Sequence, residues 1–151
     1  MGYRSGVVYA IEPQTGDEAL GKWTTFLAEA RANPNTELAM SMIDNNKVHF
    51  GTPFWTGGLD SKNHAILMQF EDVKWYDSYP EVTSLNALIN LTEEEGYQGF
   101  INAAYVRIGE DQGDVETRYV EEGYALVMAC SYYEIDASTF EKSDNNEENY
   151  L

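Results

Sequence analysis

The stretch Tyr3-Arg4-Ser5-Gly6-Val7-Val8-Tyr9-Ala10-Ile11-Glu12 sets the frame of the fold. Its period-2 pattern puts Val7, Tyr9 and Ile11 on one face and Val8 and Ala10 on the other, in a run rich in β-branched and aromatic residues. A strand with apolar side chains on both faces needs cover above and below, so it is expected at the centre of a sheet. Immediately after it, Thr15-Gly16-Asp17-Glu18 has the spacing in which a Thr hydroxyl and a Glu carboxylate each satisfy an orphan backbone N–H. Leu20, Trp23, Phe26, Leu27 and Ala30 follow at helical spacing. The spacing predicts a helix over 16–32, ended by Asn33-Pro34.

Further out, Leu38, Met40 and Met42 alternate with Ala39, Ser41 and Ile43, ahead of Asp44-Asn45-Asn46 and Lys47-Val48-His49-Phe50. That pattern predicts a hairpin, with a helix as the alternative for the Met-rich run. Residues 51–63 combine Pro53, Gly57 and Gly58 with Phe54, Trp55 and Leu59, a loop of unusual apolar weight. Packing over the core is the preferred reading of that loop, and recognition of a partner is the other. Residues 65–76 suit a long strand turning at Asp77-Ser78. Ser78-Tyr79-Pro80-Glu81 then repeats the capping pattern ahead of a stripe of Val82, Leu85, Leu88 and Ile89. Glu93-Glu94-Glu95 oppose the helix dipole and Gly96 terminates. Residues 100–108 alternate again, 109–114 form an acidic turn, and 115–122 and 124–135 are two more strands separated at Gly123.

This order predicts an α+β fold with a ferredoxin-like βαββαβ core: a mainly antiparallel sheet, two helices on one face and extra C-terminal strands. Residues 1–135 form one domain. Residues 136–151 are a Ser-, Asn- and acid-rich tail, in which Phe140, Tyr150 and Leu151 are the candidates for docking.

With 151 residues, 43% of them apolar, and with 6 Phe, 11 Tyr and 3 Trp, such a domain buries about 68–70% of its extended-chain surface and needs no staple. Cys130 is the single cysteine, which excludes an internal disulfide and a Cys-based zinc site. No membrane span or signal-peptide pattern is visible, so a cytoplasmic protein is expected. The charge is lopsided: 9 Lys and Arg against 26 Asp and Glu give −17. Residues 1–50 hold 4 basic and 6 acidic side chains, 51–100 hold 2 and 8, and 101–151 hold 3 and 12. Direct contact with a nucleic-acid backbone is disfavoured by that balance, whereas a basic protein partner is favoured.

Three blocks, Gly2-Tyr3-Arg4-Ser5, Glu71-Asp72-Val73-Lys74-Trp75-Tyr76-Asp77 and Arg107-Ile108-Gly109-Glu110-Asp111, resemble small acidic bacteriophage-encoded proteins of uncharacterised role. Those proteins open with Gly-Tyr-Arg-Ser-Glu-Val, with Lys-Trp-Tyr before the second helix and Arg-Ile-Gly-Glu-Asp on a later strand. Here Gly6 replaces the Glu, and 35–63 is longer than the usual connection. The resemblance implies a phage accessory protein in the cytoplasm of an infected bacterium. It supplies no catalytic residue and no cofactor.

The residues themselves add little chemistry. Cys130 lies in an apolar strand, where a small buried thiol is the ordinary reading. His49 and His64 flank one loop and, with Asp60 or Asp44, make a sparse two-His-one-carboxylate metal set; two strand-end histidines are the plainer reading. The run 110–116 is a loose calcium-loop look-alike without the full ligand ladder, better read as a hairpin turn. No catalytic residue, resident metal or cofactor is therefore assigned.

A belt of Trp75, Tyr76, Tyr79, Tyr97, Tyr119, Tyr124, Tyr132 and Tyr133 lies among carboxylates, a composition suited to Lys- or Arg-rich partners. The expected partner-binding residues are Glu110, Asp111, Asp114, Glu116, Glu121 and Glu122, with Phe54 and Trp55 as an apolar alternative. The expected role is to inhibit or modulate a basic, nucleic-acid-binding host or phage protein, as an anti-defence factor would. Mimicry of a nucleic acid is the sharper form. A globule of this length exposes about 7,800 Å², about 460 Å² per net charge, against about 110 Å² for a duplex. Mimicry thus requires clustering, within 110–122 and 134–148. The alternatives are a self-assembling structural protein pairing through a sheet edge, and a metal-dependent enzyme using His49 and His64.

Overall fold

The computed structural model describes residues 3–45, 52–60, 65–129 and 133–135, with 52–60, 128–129 and 133–135 described by their backbone alone. Strand β1 (Ser5–Pro13) is central, as its two apolar faces require: it pairs antiparallel with β3 (Ala65–Val73) on one side and β4 (Ile101–Gly109) on the other. Strands β2 (Thr52–Asp60) and β5 (Val115–Val120) complete a five-stranded sheet of order β2-β3-β1-β4-β5 with every neighbour antiparallel.

Three helices, α1 (Asp17–Ala32), α2 (Glu37–Asn45) and α3 (Pro80–Thr92), share one core with the face carrying Val7, Tyr9 and Ile11. Trp23, Phe26, Leu85 and Leu88 are buried there. Val8 and Ala10 on the opposite face join Leu67, Ala104 and Val106 beneath Leu126 and Val127. Those two residues belong to a segment that makes a 3-10 turn at Gly123–Ala125 and enters a short hairpin, β6 (Val127–Ala129) with β7 (Tyr133–Ile135).

Several expectations are corrected. Residues 38–45 form helix α2 and not a hairpin arm: Ala39, Met40, Met42 and Ile43 are all buried, the i, i+3, i+4 spacing of a helix face. Ser84 on α3 decides the matter locally. Its Oγ accepts the Ala39 N–H at 2.8 Å and donates to the Asn35 carbonyl at 3.0 Å, satisfying an orphan donor of the first turn. Among the described residues the helices on the sheet are accordingly three, where two were expected.

Within the predicted 51–63 loop, residues 52–60 are an edge strand. Pro53 is tolerated because an edge strand need not donate on both sides, and register shifts at Pro53/Trp55 and Thr56/Gly58 absorb the irregular residues. Neither capping box forms: Gly16 and Tyr79 stand at the N-caps without a side-chain bond. Leu20, assigned to the apolar stripe of α1, is 36% exposed. The long strand expected over 124–135 is broken into the turn and two three-residue strands. His49, His64, Cys130, Tyr132 and the tail 136–151 lie outside the described residues.

Candidate functional site

At one end of the sheet three segments of the chain meet. Before β1, Tyr3 and Arg4 run alongside the end of β4. After β3, Asp72 adopts a left-handed conformation (φ 58°), which an Asp tolerates better than most residues, and swings the chain toward α3. Its carbonyl, turned outward, accepts Arg4 Nη1 at 3.0 Å. Between β4 and β5 a tight acidic turn brings Asp114 back over Gly109, whose N–H donates to the Asp114 carbonyl at 2.8 Å. The missing side chain of Gly109 leaves room for the Asp114 carboxylate and the Tyr3 hydroxyl, both of which a Cβ there would displace.

Arg107, near the end of β4, is the hub. Its Nη2 donates to Asp114 Oδ1 at 2.8 Å, its Nη1 to Asp114 Oδ2 and to Ser5 Oγ at 3.2 Å each, and its Nε to Glu116 Oε1 at 3.0 Å. The Tyr3 hydroxyl donates to Asp114 Oδ2 at 2.6 Å and accepts the Asp111 N–H at 2.8 Å. The Tyr105 hydroxyl donates to Glu116 Oε1 at 2.8 Å. Behind it, Tyr9 packs between Tyr105 and Trp75 at ring-centroid distances of 4.8 and 5.8 Å, and its hydroxyl donates to Asn86 Oδ1 on α3.

Electrostatics follow the geometry. Hydrogen bonds from Arg107, then Tyr3, hold the Asp114 carboxyl at about 2, well below its ordinary value. The Arg107 guanidinium is pushed up by Asp114 and Glu116, Tyr105 by burial and by its bond to Glu116, and Tyr3 by its bond to Asp114. Each shift moves the titration further from pH 7, so at neutral pH Asp114 and Arg107 stay charged while Tyr3 and Tyr105 stay protonated.

Above this network lies an open cavity of about 360 Å³, lined by Tyr3, Trp75, Tyr76, Asp77, Arg107, Asp114 and Glu116. Tyr76 stands at its rim, 36% exposed, edge-on to Tyr79 at 5.3 Å, and its hydroxyl accepts the Tyr3 N–H at 3.0 Å. Asp72, Asp77, Glu110 and Asp111 are exposed nearby, so carboxylates at this end outnumber Arg4 and Arg107 by a wide margin.

The expected acidic surface is therefore divided. Glu110, Asp111, Asp114 and Glu116 belong to this end, but Asp114 and Glu116 are engaged by Arg107 and do not simply project into water. Glu110 accepts the Arg4 N–H. Glu121 and Glu122 lie beyond the far end of β5, about 15 Å away along the strand at its usual rise. There Glu121 accepts the Gly99 N–H at 3.0 Å and the Glu122 N–H donates to Asn102 Oδ1 at 3.1 Å. Phe54 and Trp55 are on β2, at the opposite sheet edge from the β4–β5 turn. Among the described residues no cluster of three or more His, Cys, Asp or Glu side chains is placed to hold a metal ion.

Sequence reasoning missed Arg107 and Tyr3 as members of the site. The segments around Tyr3, Trp75 and Arg107, far apart in the sequence, are the three that meet here. No family model, curated protein or solved structure matches the chain.

Proposed function

We propose that this chain is an accessory protein that binds a basic segment of a partner protein, seating a Lys or Arg side chain in the cavity between Tyr3, Trp75, Tyr76 and Asp77. The observation that carries this reading is the cavity itself: aromatic faces and carboxylates converge on one open space whose own cation, Arg107, is already consumed by Asp114 and Glu116. A cation there gains from ring quadrupoles and from uncompensated negative charge together. Occupancy of a basic surface is how such a protein would inhibit or modulate a nucleic-acid-binding partner, which on the reading as a phage accessory protein would be met in an infected bacterium. A ferredoxin-like core for the scaffold is supported by the antiparallel run β2-β3-β1-β4, with α2 and β5 as additions.

The test is titration of the isotope-labelled chain with an Arg-rich peptide and a neutral control, following backbone NMR shifts. Shifts should centre on Tyr76, Asp77 and Asp111 and weaken as salt shortens the Debye length. Tyr76→Ala and Asp77→Asn should reduce affinity with the spectrum otherwise native, while Glu121→Gln should not. Binding that ignores salt and these changes, but is lost on substituting Phe54 or Trp55, would overturn the reading and make β2 the recognition surface.

A further inference from the structure

The outer face of helix α3 is neutral in a chain of net charge −17: it carries Thr83, Asn86, Ala87 and Asn90, none of them fully buried. These residues floor an open cavity of about 600 Å³, walled on one side by Asn35 and Leu38, at the start of α2 and in the turn before it. Asp77 lines this cavity and also the smaller one beside Tyr3 and Trp75, so the two adjoin there. Thr83 Oγ1 donates to the Asp77 carbonyl at 2.9 Å, which fixes the junction between them.

The carboxamides of Asn86 and Asn90 are held by their oxygens. Asn86 Oδ1 accepts the Tyr9 hydroxyl at 2.7 Å, and Asn90 Oδ1 accepts Arg118 Nη2. Arginine only donates, so Asn90 must turn its oxygen toward it. Each Nδ2 is left with two N–H donors, and neither bonds to another of the described residues. The two side chains are four residues apart, about 6 Å along the helix axis. Carbonyls on one side of an extended peptide recur at every second residue, about 6.6 Å. The spacings match, and Ala87 has no bulk to keep a backbone away.

We propose that the groove along α3 takes the backbone of the partner's basic segment in extended form. Alternate carbonyls accept the Nδ2 groups of Asn86 and Asn90 while its Lys or Arg enters the cavity at Tyr3, Trp75 and Tyr76. This rests on the reading of that cavity as a cation site and adds the conformation of the partner: an extended segment, and not a helix. In a helix the interior carbonyls are already bonded within the chain, and few are left for the carboxamides. Charge selects the segment as a whole, because a chain at −17 repels acidic ones. The neutral floor reads backbone alone, which leaves side-chain choice to the cation at one end.

The test titrates two probes into the isotope-labelled full chain: N-acetyl-arginine methylamide, and a peptide with one Arg between uncharged flanks. Flanks of about six residues span about 20 Å, and Asn90 lies about 15 Å along α3 from Pro80. The peptide should bind about tenfold more tightly than the short probe, with shifts that extend from Tyr76 and Asp77 to Asn86, Ala87 and Asn90. Asn90→Asp keeps the oxygen that takes Arg118, and Asn86→Asp keeps the one that takes Tyr9, but both lose the N–H donors. Each should weaken the peptide about threefold or more without weakening the short probe. Attraction by charge alone gives the opposite sign, since each variant adds a carboxylate. Asn90 is exposed, so Asn90→Asp decides the matter should Asn86→Asp disturb the fold at Tyr9. A peptide no tighter than the short probe, or one that Asn90→Asp leaves unchanged or tightens, overturns the groove and leaves the cation cavity standing. No shift at Tyr76 and Asp77 with either probe overturns both.

Discussion

Arg107 grips Asp114 at two points, Nη2 to Oδ1 at 2.8 Å and Nη1 to Oδ2 at 3.2 Å, from the facing strand of the same hairpin. The fork of a guanidinium matches the two oxygens of a carboxylate, so this pair fixes orientation as well as charge. With Nε on Glu116 and Tyr3 on Asp114, it ties the chain start, the end of β4 and the β4–β5 turn into one unit. A charged pole becomes a shaped surface because one cation organises the acids around it.

That arrangement makes stability depend on pH in a definite direction. The Asp114 carboxyl titrates at about 2 in the fold and near 3.9 when unfolded. A depressed folded value contributes stability that is present above about pH 4 and is lost as pH falls through about 2. Denaturant midpoints of the native chain and of Asp114→Asn should differ at neutral pH and converge in acid. Parallel profiles for the two would show that the pair contributes nothing.

Replacing the hub tests the same unit from the cation side. The Arg107 side chain is 16% exposed, and Arg107→Met would leave Asp114 and Glu116 facing each other with no cation between them. Loss of charge-assisted bonds of this kind costs about 1–3 kcal/mol. Arg107→Lys should recover only part of it, since an ammonium cannot make the two-point contact. Chemical denaturation reads both; full recovery by Lys would argue that charge alone matters.

Much of this was legible in the sequence, and the exceptions have physical causes. Strand β1 was readable because its apolar residues alternate on both faces, a pattern no surface element shows. The run over α2 was ambiguous because Leu38, Met40 and Met42 alternate while Ala39, Met42 and Ile43 also keep helical spacing; Ser84, 45 residues away, tips the balance toward a helix. β2 was hidden by Pro53 and Gly57-Gly58, which read as loop residues unless the strand is known to lie at an edge. The acids of 110–116 stand out by composition, and so do Glu121 and Glu122, which the fold sets apart from them. The bonds from Arg107 to Asp114 and Glu116 depended on the hairpin register, which patterning alone does not fix.

The core reading yields a direct test. Phe26 is fully buried, stacked on Trp23 at 5.5 Å and edge-on to Tyr97 at the same distance. Phe26→Ala should cost about 3–5 kcal/mol through lost burial and a cavity the neighbouring rings cannot fill. A loss below about 0.5 kcal/mol would mean that the site collapses freely, contrary to close packing.

Helix α2 should prove sensitive to a residue it does not contain. Ser84→Ala removes both the acceptor of the Ala39 N–H and the donor to the Asn35 carbonyl in a buried setting. The expected cost is about 1–3 kcal/mol. Hydrogen exchange gives the sharper readout. The Ala39 amide should lose protection much more than amides in the middle of α1, and uniform loss across the protein would show that Ser84 supports the whole core and not this helix end.

The last test concerns the cover of the second sheet face. Gly123 begins the 3-10 turn that delivers Leu126 and Val127 onto Val8, Ala10, Ala104 and Val106, and it sits directly against β4. A Cβ at 123 would stand 1.7 Å from the Ala103 carbonyl oxygen, a backbone atom in the middle of the sheet that has no freedom to withdraw. Gly123→Ala must therefore lift the turn and not merely crowd it. Leu126 and Val127 should become solvent-accessible while α1, α2 and α3 keep their packing on the other face. The expected signature is hydrogen exchange and dye binding that increase around β4 and β6, with helical circular dichroism preserved. If the variant melts like the native chain with unchanged exchange, the turn has slack that this close approach denies, and the cover of Val8 and Val106 must come from elsewhere in the chain.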